Sequence, residues 1–453
     1  MRASPSRTAA LSVLAATLTF SAGAAANGRY PAAGQIALDP ANPGTIMVRA
    51  TYGILFTKNA GQRWEWVCES AVGFSGSEDP MMSFMADGTI LAGIFEGLSV
   101  SRDHGCGWSF VGGGIDKRYV VDLAVDKVDA TKGVLVVSNS TGQDDAGQPV
   151  FLGQLWQTAD NGKTWTQAGT DLPKQFLALT VETGPSDRNR VYVSGRMGPP
   201  NYAGVLHRSD DRGATWQEKP IPGSDDTHLP YVGAIDPNNP DIVYVRLDGA
   251  PQDQLVVTKD GGQTWTKVFE STGDLFGFAL SPDGATVAVG GDKDGVWTAP
   301  TSTLAFTKVS SVGAKCLTWT ADGLYACADE FIDGFTAGIS KDQGKTFTPL
   351  MHLGGLCGPL TCDPSSNVAQ HCVSQWPVTA ANISAVSCDA PDGGASGSAT
   401  SGSSGGGASS SSGAGGGDSG CATAAPATGA ASMAASGAAL VGLLAAMRRR
   451  RRR

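Results

Sequence analysis

The stretch TKDGGQTW, Thr258–Trp265, sets the architecture of this chain, because close copies of it recur along the sequence. The shared pattern is S/T-x-D-x-G-x-T-W, and the last position is aromatic in every copy. Two further copies are complete, and one has Phe for Trp. One copy lacks the Thr before the Trp, and one has Asn for the Asp and Arg for that Thr. In that order they are TADNGKTW (Thr158–Trp165), SDDRGATW (Ser209–Trp216), SKDQGKTF (Ser340–Phe347), SRDHGCGW (Ser101–Trp108) and TKNAGQRW (Thr57–Trp64).

Each residue of this box suits a tight hairpin turn. The Asp accepts backbone N–H groups within the turn, and the Gly adopts positive φ at little steric cost. The aromatic side chain buries a large ring between neighbouring sheets. We therefore predict structural turns between third and fourth strands, built on Asp103, Asp160, Asp211, Asp260 and Asp342 with Trp64, Trp108, Trp165, Trp216, Trp265 and Phe347.

Seven units of similar length can be aligned on the boxes. Gly295–Pro300 (GVWTAP) matches Gly204–Ser209 (GVLHRS) but lacks a box, and Phe306 takes the aromatic position. The units start at 57, 101, 158, 209, 258, 300 and 340, a spacing typical of propeller blades with four short strands. The sequence thus predicts an all-β fold, a seven-bladed β-propeller of four-stranded antiparallel blades over residues 27–352.

These boxes resemble those of the BNR/Asp-box propellers, which include sialidases, sortilin-type receptors, xyloglucanases and photosystem II assembly factors. The resemblance covers about residues 33–352. It implies architecture and says little about activity, since the same box serves enzymes and non-enzymes. The sialidase Arg-Ile-Pro motif is absent from the sequence, and nothing in their spacing selects Arg49, Arg196 and Arg246 as an arginine triad.

The N-terminus predicts export. Arg2 and Arg7 precede a short apolar run, Ala9–Phe20, and Ala24-Ala25-Ala26 offers a small-residue cleavage site. We expect residues 1–26 to be a signal peptide, although a retained N-terminal anchor is the alternative.

The C-terminus predicts attachment to the cell surface. Residues 353–390 form a cysteine-rich appendix, 391–420 a disordered Gly/Ser-rich tether, and 421–453 an apolar transmembrane helix followed by Arg448–Arg453. Together with Cys421 at the junction, this end resembles the myxobacterial sorting signal MYXO-CTERM. The resemblance implies processing or lipid attachment at Cys421 and delivery to the outer membrane surface; a plain transmembrane anchor is the alternative.

The charge of the chain excludes some partners. The full sequence has 33 basic and 42 acidic residues, a net charge of −9. Removing two arginines with the leader and six with the tail leaves 25 basic residues and a net charge of −17. An acidic exported protein is a poor partner for nucleic acid. We expect membrane contact only through the C-terminal anchor.

Eight cysteines precede Cys421, and an even set in an exported chain predicts disulfides. Cys316 and Cys327 flank a predicted hairpin whose register places them opposite each other. Cys68 and Cys106 are left to pair by elimination. The appendix cysteines have three pairings open to them and are Cys357, Cys362, Cys372 and Cys388.

Function is expected on the ring face opposite the boxes, where the longer loops lie. These loops are Asn139–Leu152, Gly195–Ala203, Arg246–Asp253 and Ala328–Gly334, joined by the connections Glu69–Met82 and Pro220–Val232 and the short Phe95-Glu96 corner. Aromatic, acidic and basic side chains there suit glycans, peptides or cations. The candidate ligand-binding residues are Glu96, Tyr202, Arg196, Arg246, Asp248, Tyr231, His228, Asp329 and Glu330.

The sequence offers no HExxH, GxSxG or phosphate-loop motif, and its histidines lack metal-ligand spacing. We therefore expect no cofactor and no metal, and we cannot assign catalytic residues from the sequence. The first hypothesis is a non-catalytic surface protein that binds an extracellular glycan or protein. The alternative is a glycoside hydrolase of the sialidase or xyloglucanase-like propeller type.

Overall fold

The computed structural model describes residues 31–74, 78–198, 202–386 and 388. The expected signal peptide, tether, Cys421 and C-terminal helix lie outside these residues. Within the described part, none of the helices has the length and apolar character needed to cross a membrane.

Seven antiparallel sheets follow one another along the chain, each made of four consecutive strands. The first four blades are β1 (Ala33–Leu38), β2 (Ile46–Ala50), β3 (Gly53–Thr57), β4 (Trp64–Val67); β5 (Met81–Phe84), β6 (Ile90–Ile94), β7 (Gly97–Ser101), β8 (Ser109–Phe110); β9 (Val120–Val125), β10 (Gly133–Gln143), β11 (Pro149–Thr158), β12 (Thr166–Ala168); and β13 (Phe176–Thr183), β14 (Val191–Met197), β15 (Gly204–Ser209), β16 (Gln217–Pro220).

The last three blades repeat this order. They are β17 (His228–Ile235), β18 (Val243–Gly249), β19 (Gln254–Thr258), β20 (Thr266–Glu270); β21 (Gly277–Leu280), β22 (Thr286–Gly291), β23 (Gly295–Pro300), β24 (Thr307–Ser310); and β25 (Cys316–Thr320), β26 (Gly323–Cys327), β27 (Ala337–Ser340), β28 (Thr348–Met351).

The first strand of each blade contacts the first strand of the next, and β25 of the last blade contacts β1. This closed circuit confirms the predicted seven-bladed propeller. Most of the core lies between neighbouring sheets, so middle strands are apolar on both faces. On β14, for example, Val191 and Val193 pack with the third blade, whereas Tyr192 packs with the fifth.

The appendix adds to the outside of the first blade. After β28 a 3-10 turn, Leu353–Gly355, leads into β29 (Leu356–Pro359), which pairs parallel with β4. Two helices follow, α3 (Asn367–His371) and α4 (Trp376–Ile383). The ring of Trp376 lies 5.7 Å from that of Trp66 on β4. Two single-turn helices, α1 (Glu69–Val72) and α2 (Glu330–Asp333), and a 3-10 turn at Gly113–Ile115 lie in connections.

The disulfides correct the expected pairing. Cys316 and Cys327 are bonded, as the hairpin register predicts. The expected Cys68–Cys106 bond is wrong, because each of these cysteines faces the docked appendix. Cys68 is bonded to Cys372, and Cys106 is bonded to Cys362. The two remaining cysteines form the bond Cys357–Cys388. The expectation of two bonds within the appendix is therefore also wrong, since only one joins two of its own cysteines.

The expected loop Asn139–Leu152 is mostly strand. β10 and β11 stay paired up to Gln143 opposite Pro149, which leaves a short turn with Gly147 at positive φ. Thr, Val and Phe in this segment favour extended backbone. The blade-three hairpin consequently extends beyond the usual strand length on the face opposite the boxes.

Candidate functional site

The two faces of the ring have different roles. In four consecutive antiparallel strands, the first and third turns lie at one end of the sheet and the second turn at the other. We call the end with the first and third turns the box face. The opposite end, with the second-to-third turns and the connections between blades, is the open face.

The box turns are fully engaged in local hydrogen bonds. Asp260 accepts from the Thr258 hydroxyl at 2.8 Å, and from the Thr264 amide and hydroxyl at 2.8 and 2.6 Å. The Thr264 hydroxyl is the main reason why the pKa of Asp260 is lowered to about 2. Equivalent bonds surround Asp160, Asp211 and Asp342. The box face is thus architectural, as the sequence predicts.

On the open face, five predicted residues come together across blades four and five. The Arg196 guanidinium lies over the Tyr202 ring, 5.3 Å from its centroid, and the Arg246 guanidinium lies 5.1 Å from the centroid of Tyr231. Arg246 also donates to the Leu275 carbonyl and approaches Asp248 at 4.0 Å. We call this set the blade 4–5 patch: Arg196, Tyr202, Tyr231, Arg246 and Asp248.

Other predicted residues serve local structure instead. Asp329 caps α2 by accepting from the Phe331 amide, and it pairs with Lys315 at 2.8 Å.

Glu330 accepts from the Thr336 hydroxyl and the Leu353 amide. His228 shares a 2.9 Å hydrogen bond with the Thr227 hydroxyl at the start of β17. Nothing among the described contacts brings His228, Asp329 and Glu330 into one group.

A second open-face group lies between blades one and two. The carboxyl group of Glu78 is 7% exposed and accepts from the Phe95 amide at 2.5 Å. Burial, helped by the neighbouring charges of Glu96 and Asp79 and opposed by that hydrogen bond, raises the pKa of Glu78 to about 8. Glu78 therefore holds a proton at neutral pH. We call Glu78, Asp79 and Glu96 the blade 1–2 carboxylates.

Charged and aromatic side chains surround these carboxylates. Arg49 on β2 forms a salt bridge with Asp79 at 3.6 Å. The rings of Phe95 and Tyr119 lie 4.3 Å apart and tilted beside the Phe95-Glu96 turn. The candidates predicted from sequence include Glu96 but not Glu78, because sequence does not reveal that the carboxyl group of Glu78 is buried. Tyr119 directly precedes β9, the first strand of blade three, and this position could have indicated that it lies on the open face.

Asp253 clamps the loop between β18 and β19. It is fully buried and accepts from the Gly249 and Leu275 amides, both at 2.8 Å. Burial, with the nearby charge of Asp248, raises its pKa to about 6. Without access to solvent, Asp253 acts as a structural group that holds the blade 4–5 patch in shape.

A surface groove of about 530 Å³ lies elsewhere. Its lining includes Lys259 and Thr264 in the fifth box and Thr303 on the same side of blade six. It therefore belongs to the box face, and its lining includes neither the blade 4–5 patch nor the blade 1–2 carboxylates. In the described part of the chain, no cluster of three or more His, Cys, Asp or Glu could hold a metal ion.

Fold and site define a BNR-like β-propeller with an architectural box face and a chemically varied open face. A family model described as Sortilin, neurotensin receptor 3, matches residues 153–296. A xyloglucanase of Paenibacillus sp is 26% identical over 293 residues, 53% of this chain and 27% of that protein. Xyloglucanase Xgh74A of Acetivibrio thermocellus is 27% identical over 191 residues, 38% of this chain and 23% of that protein.

Solved structures give a weaker likeness. An ancestral GH74 enzyme has a TM-score of 0.49 at 13% identity, covering 71% of this chain and 49% of that one. The GH74 xyloglucanase of Xanthomonas campestris has a TM-score of 0.44 at 16% identity, covering 69% and 59%. Likenesses at this level do not establish an activity.

The chain spans about a quarter of the length of the curated relatives it matches. Those relatives are named as xyloglucanases. The first hypothesis, a non-catalytic binding or scaffold protein, is therefore wrong by this comparison, which favours the alternative of a glycoside hydrolase.

Proposed function

We propose that this chain is a glycoside hydrolase that acts on an extracellular polysaccharide through its open face. The observation that carries the proposal is Glu78, a buried carboxyl group that keeps its proton at neutral pH beside other carboxylates. Glycoside hydrolysis needs one carboxylic acid to protonate the leaving oxygen and a second carboxylate to assist attack at the sugar. The xyloglucanase names of the two relatives support the same class of substrate.

Each group then has a chemical role. Glu78 would donate its proton to the glycosidic oxygen as the general acid. Asp79, held by Arg49, or Glu96 would act as the carboxylate partner. The adjacent rings of Phe95 and Tyr119 would stack on a sugar ring and orient it.

The test is turnover of polysaccharide by the purified full chain. Release of reducing ends is measured with xyloglucan first and then with other soluble glucans. Glu78→Gln removes the proton donor and should lower kcat by about 100-fold or more. Glu218→Gln is the matched control, since this glutamate lies exposed on β16 of blade four. An absence of turnover with every glucan, or full activity in Glu78→Gln, would refute the proposal.

We also propose that the protein is exported and anchored at the cell surface. The four disulfides support an oxidising compartment outside the cytoplasm. The test is surface labelling of intact cells that produce the natural chain or Cys421→Ser. We expect the natural chain to be labelled and Cys421→Ser to be lost from the surface; equal labelling of both would contradict a role for Cys421.

A further inference from the structure

Two arginines at opposite ends of β14 differ sharply in their surroundings. Arg190 directly precedes β14 and is almost fully buried, but two carboxylates and a hydroxyl lie against its guanidinium. It contacts Asp210 at 2.6 Å, Asp241 at 2.5 Å and the Tyr192 hydroxyl at 3.0 Å. Arg196 lies near the other end of β14 and is only 6% exposed.

Arg196 makes no hydrogen bond or salt bridge with any residue in the part of the chain that the structure describes. Its guanidinium instead lies over the ring of Tyr202 in a cation–π interaction. A guanidinium carries five N–H donors, stays charged at any accessible pH and is costly to bury without acceptors. Burial lowers the pKa of Arg196, and the nearby charge of Asp226 only partly opposes this.

From this contrast we propose that Arg196 is the anchor of a binding site for a carboxylate-bearing sugar, such as a uronic acid residue of a glycan. A carboxylate matches the planar fork of a guanidinium with two parallel hydrogen bonds. The ring of Tyr202 lies against the guanidinium, and Tyr231 is close enough to influence its charge. Both tyrosines are half-buried on the open face and offer flat surfaces to a sugar ring.

This site is separate from the blade 1–2 carboxylates, because blade three lies between the two groups. The carboxylate follows from Arg196 itself and goes beyond the proposed hydrolysis. The choice of a sugar as its carrier rests on the proposed function. A peptide with a free C-terminal carboxylate would satisfy the same arginine, so the experiment must separate the two carriers.

The experiment measures binding to the full chain by calorimetry. The probes are an oligogalacturonate and its methyl ester, which keeps the rings and removes the charge. We expect the acid to bind at least about tenfold more tightly than the ester, a difference of about 1.4 kcal/mol. Arg196→Met should abolish this preference, whereas Arg212→Gln, an exposed arginine in a box turn, should retain it.

Equal binding of acid and ester, or an unchanged preference in Arg196→Met, would overturn the site. Should Arg196→Met fail to fold, the salt dependence of the natural chain decides, because added salt must weaken binding of the acid more than that of the ester. Binding of a free-carboxylate peptide but not of the oligogalacturonate would overturn the sugar. Acid-selective binding without turnover of any glucan would leave this site standing and remove only the proposed hydrolysis.

Discussion

Replacing His207 should make the propeller more resistant to acid. His207 lies on β15 and is 2% exposed, and neither ring nitrogen has a hydrogen-bond partner among the described residues. Its ring meets Phe176 edge-on at 4.4 Å and faces Trp216 at 6.4 Å. Burial in these apolar surroundings lowers the pKa of His207 to about 4.

The sign and size of the effect follow from that pKa. An unfolded histidine titrates near its ordinary pKa of 6.5, so at a pH between the two values the unfolded chain holds a proton that the native chain lacks. The native state therefore loses stability as the pH falls through this window. At about 1.4 kcal/mol per pKa unit, the loss approaches 3 kcal/mol, roughly, near pH 4. His207→Leu removes the titrating group and keeps an apolar side chain of similar size.

The assay is urea unfolding of both proteins, followed by tryptophan fluorescence at several pH values from about 7 down to about 4. We expect the difference in free energy of unfolding to move in favour of His207→Leu by about 3 kcal/mol over this range. Buried Asp122 and Glu78 have raised pKa values of about 8 and titrate with the opposite sign, but they are common to both proteins and cancel in the difference. Parallel pH profiles would refute the reasoning.

Three further predictions concern the disulfides, the box turns and the proton of Glu78. Removing both disulfides between the appendix and the blades should lower the free energy of unfolding by about 9 kcal/mol, measured by urea unfolding; removing Cys316–Cys327 should cost about 3, because the sequence separations are 304 and 256 against 11. Asp260→Ala should cost about 1–3 kcal/mol through lost turn hydrogen bonds and leave oligogalacturonate affinity unchanged; a loss of affinity would place the boxes in the ligand site. Turnover should fall as the pH rises through about 8, where Glu78 loses its proton, and a flat profile would contradict the assigned role.

The sequence predicts best what is repeated and local. The boxes locate the third and fourth strands of a blade, so the blade count follows from counting units. Cys316 and Cys327 pair within one hairpin, whose register is set by a short turn. The same logic fails for Cys68 and Cys106, because their partners lie 304 and 256 residues away in the appendix. No sequence pattern predicts where the appendix packs.

In the candidate site too, positions set by the repeat could be predicted from sequence, whereas side-chain contacts could not. Arg196 and Arg246 could be placed near the open face because both lie late on a second strand. Tyr202 and Tyr231 are candidates as well, but their pairing with Arg196 and Arg246 depends on side-chain positions that the repeat spacing does not give. Asp329 and Glu330 looked like ligand carboxylates because they are acidic and lie in a long loop, but the loop folds into α2 and uses both as hydrogen-bond acceptors.

Ring closure explains why the appendix matters to the whole propeller. The first four strands of every described blade are consecutive, and the first sheet alone gains a strand from the C-terminal end, β29. The seam between blades seven and one is therefore held by side-chain packing and by what is added outside it. β29 provides that addition by pairing with β4, and two disulfides fix the appendix to blades one and two. We therefore expect these links to couple unfolding at the C-terminal end of the ring to that of the first two blades.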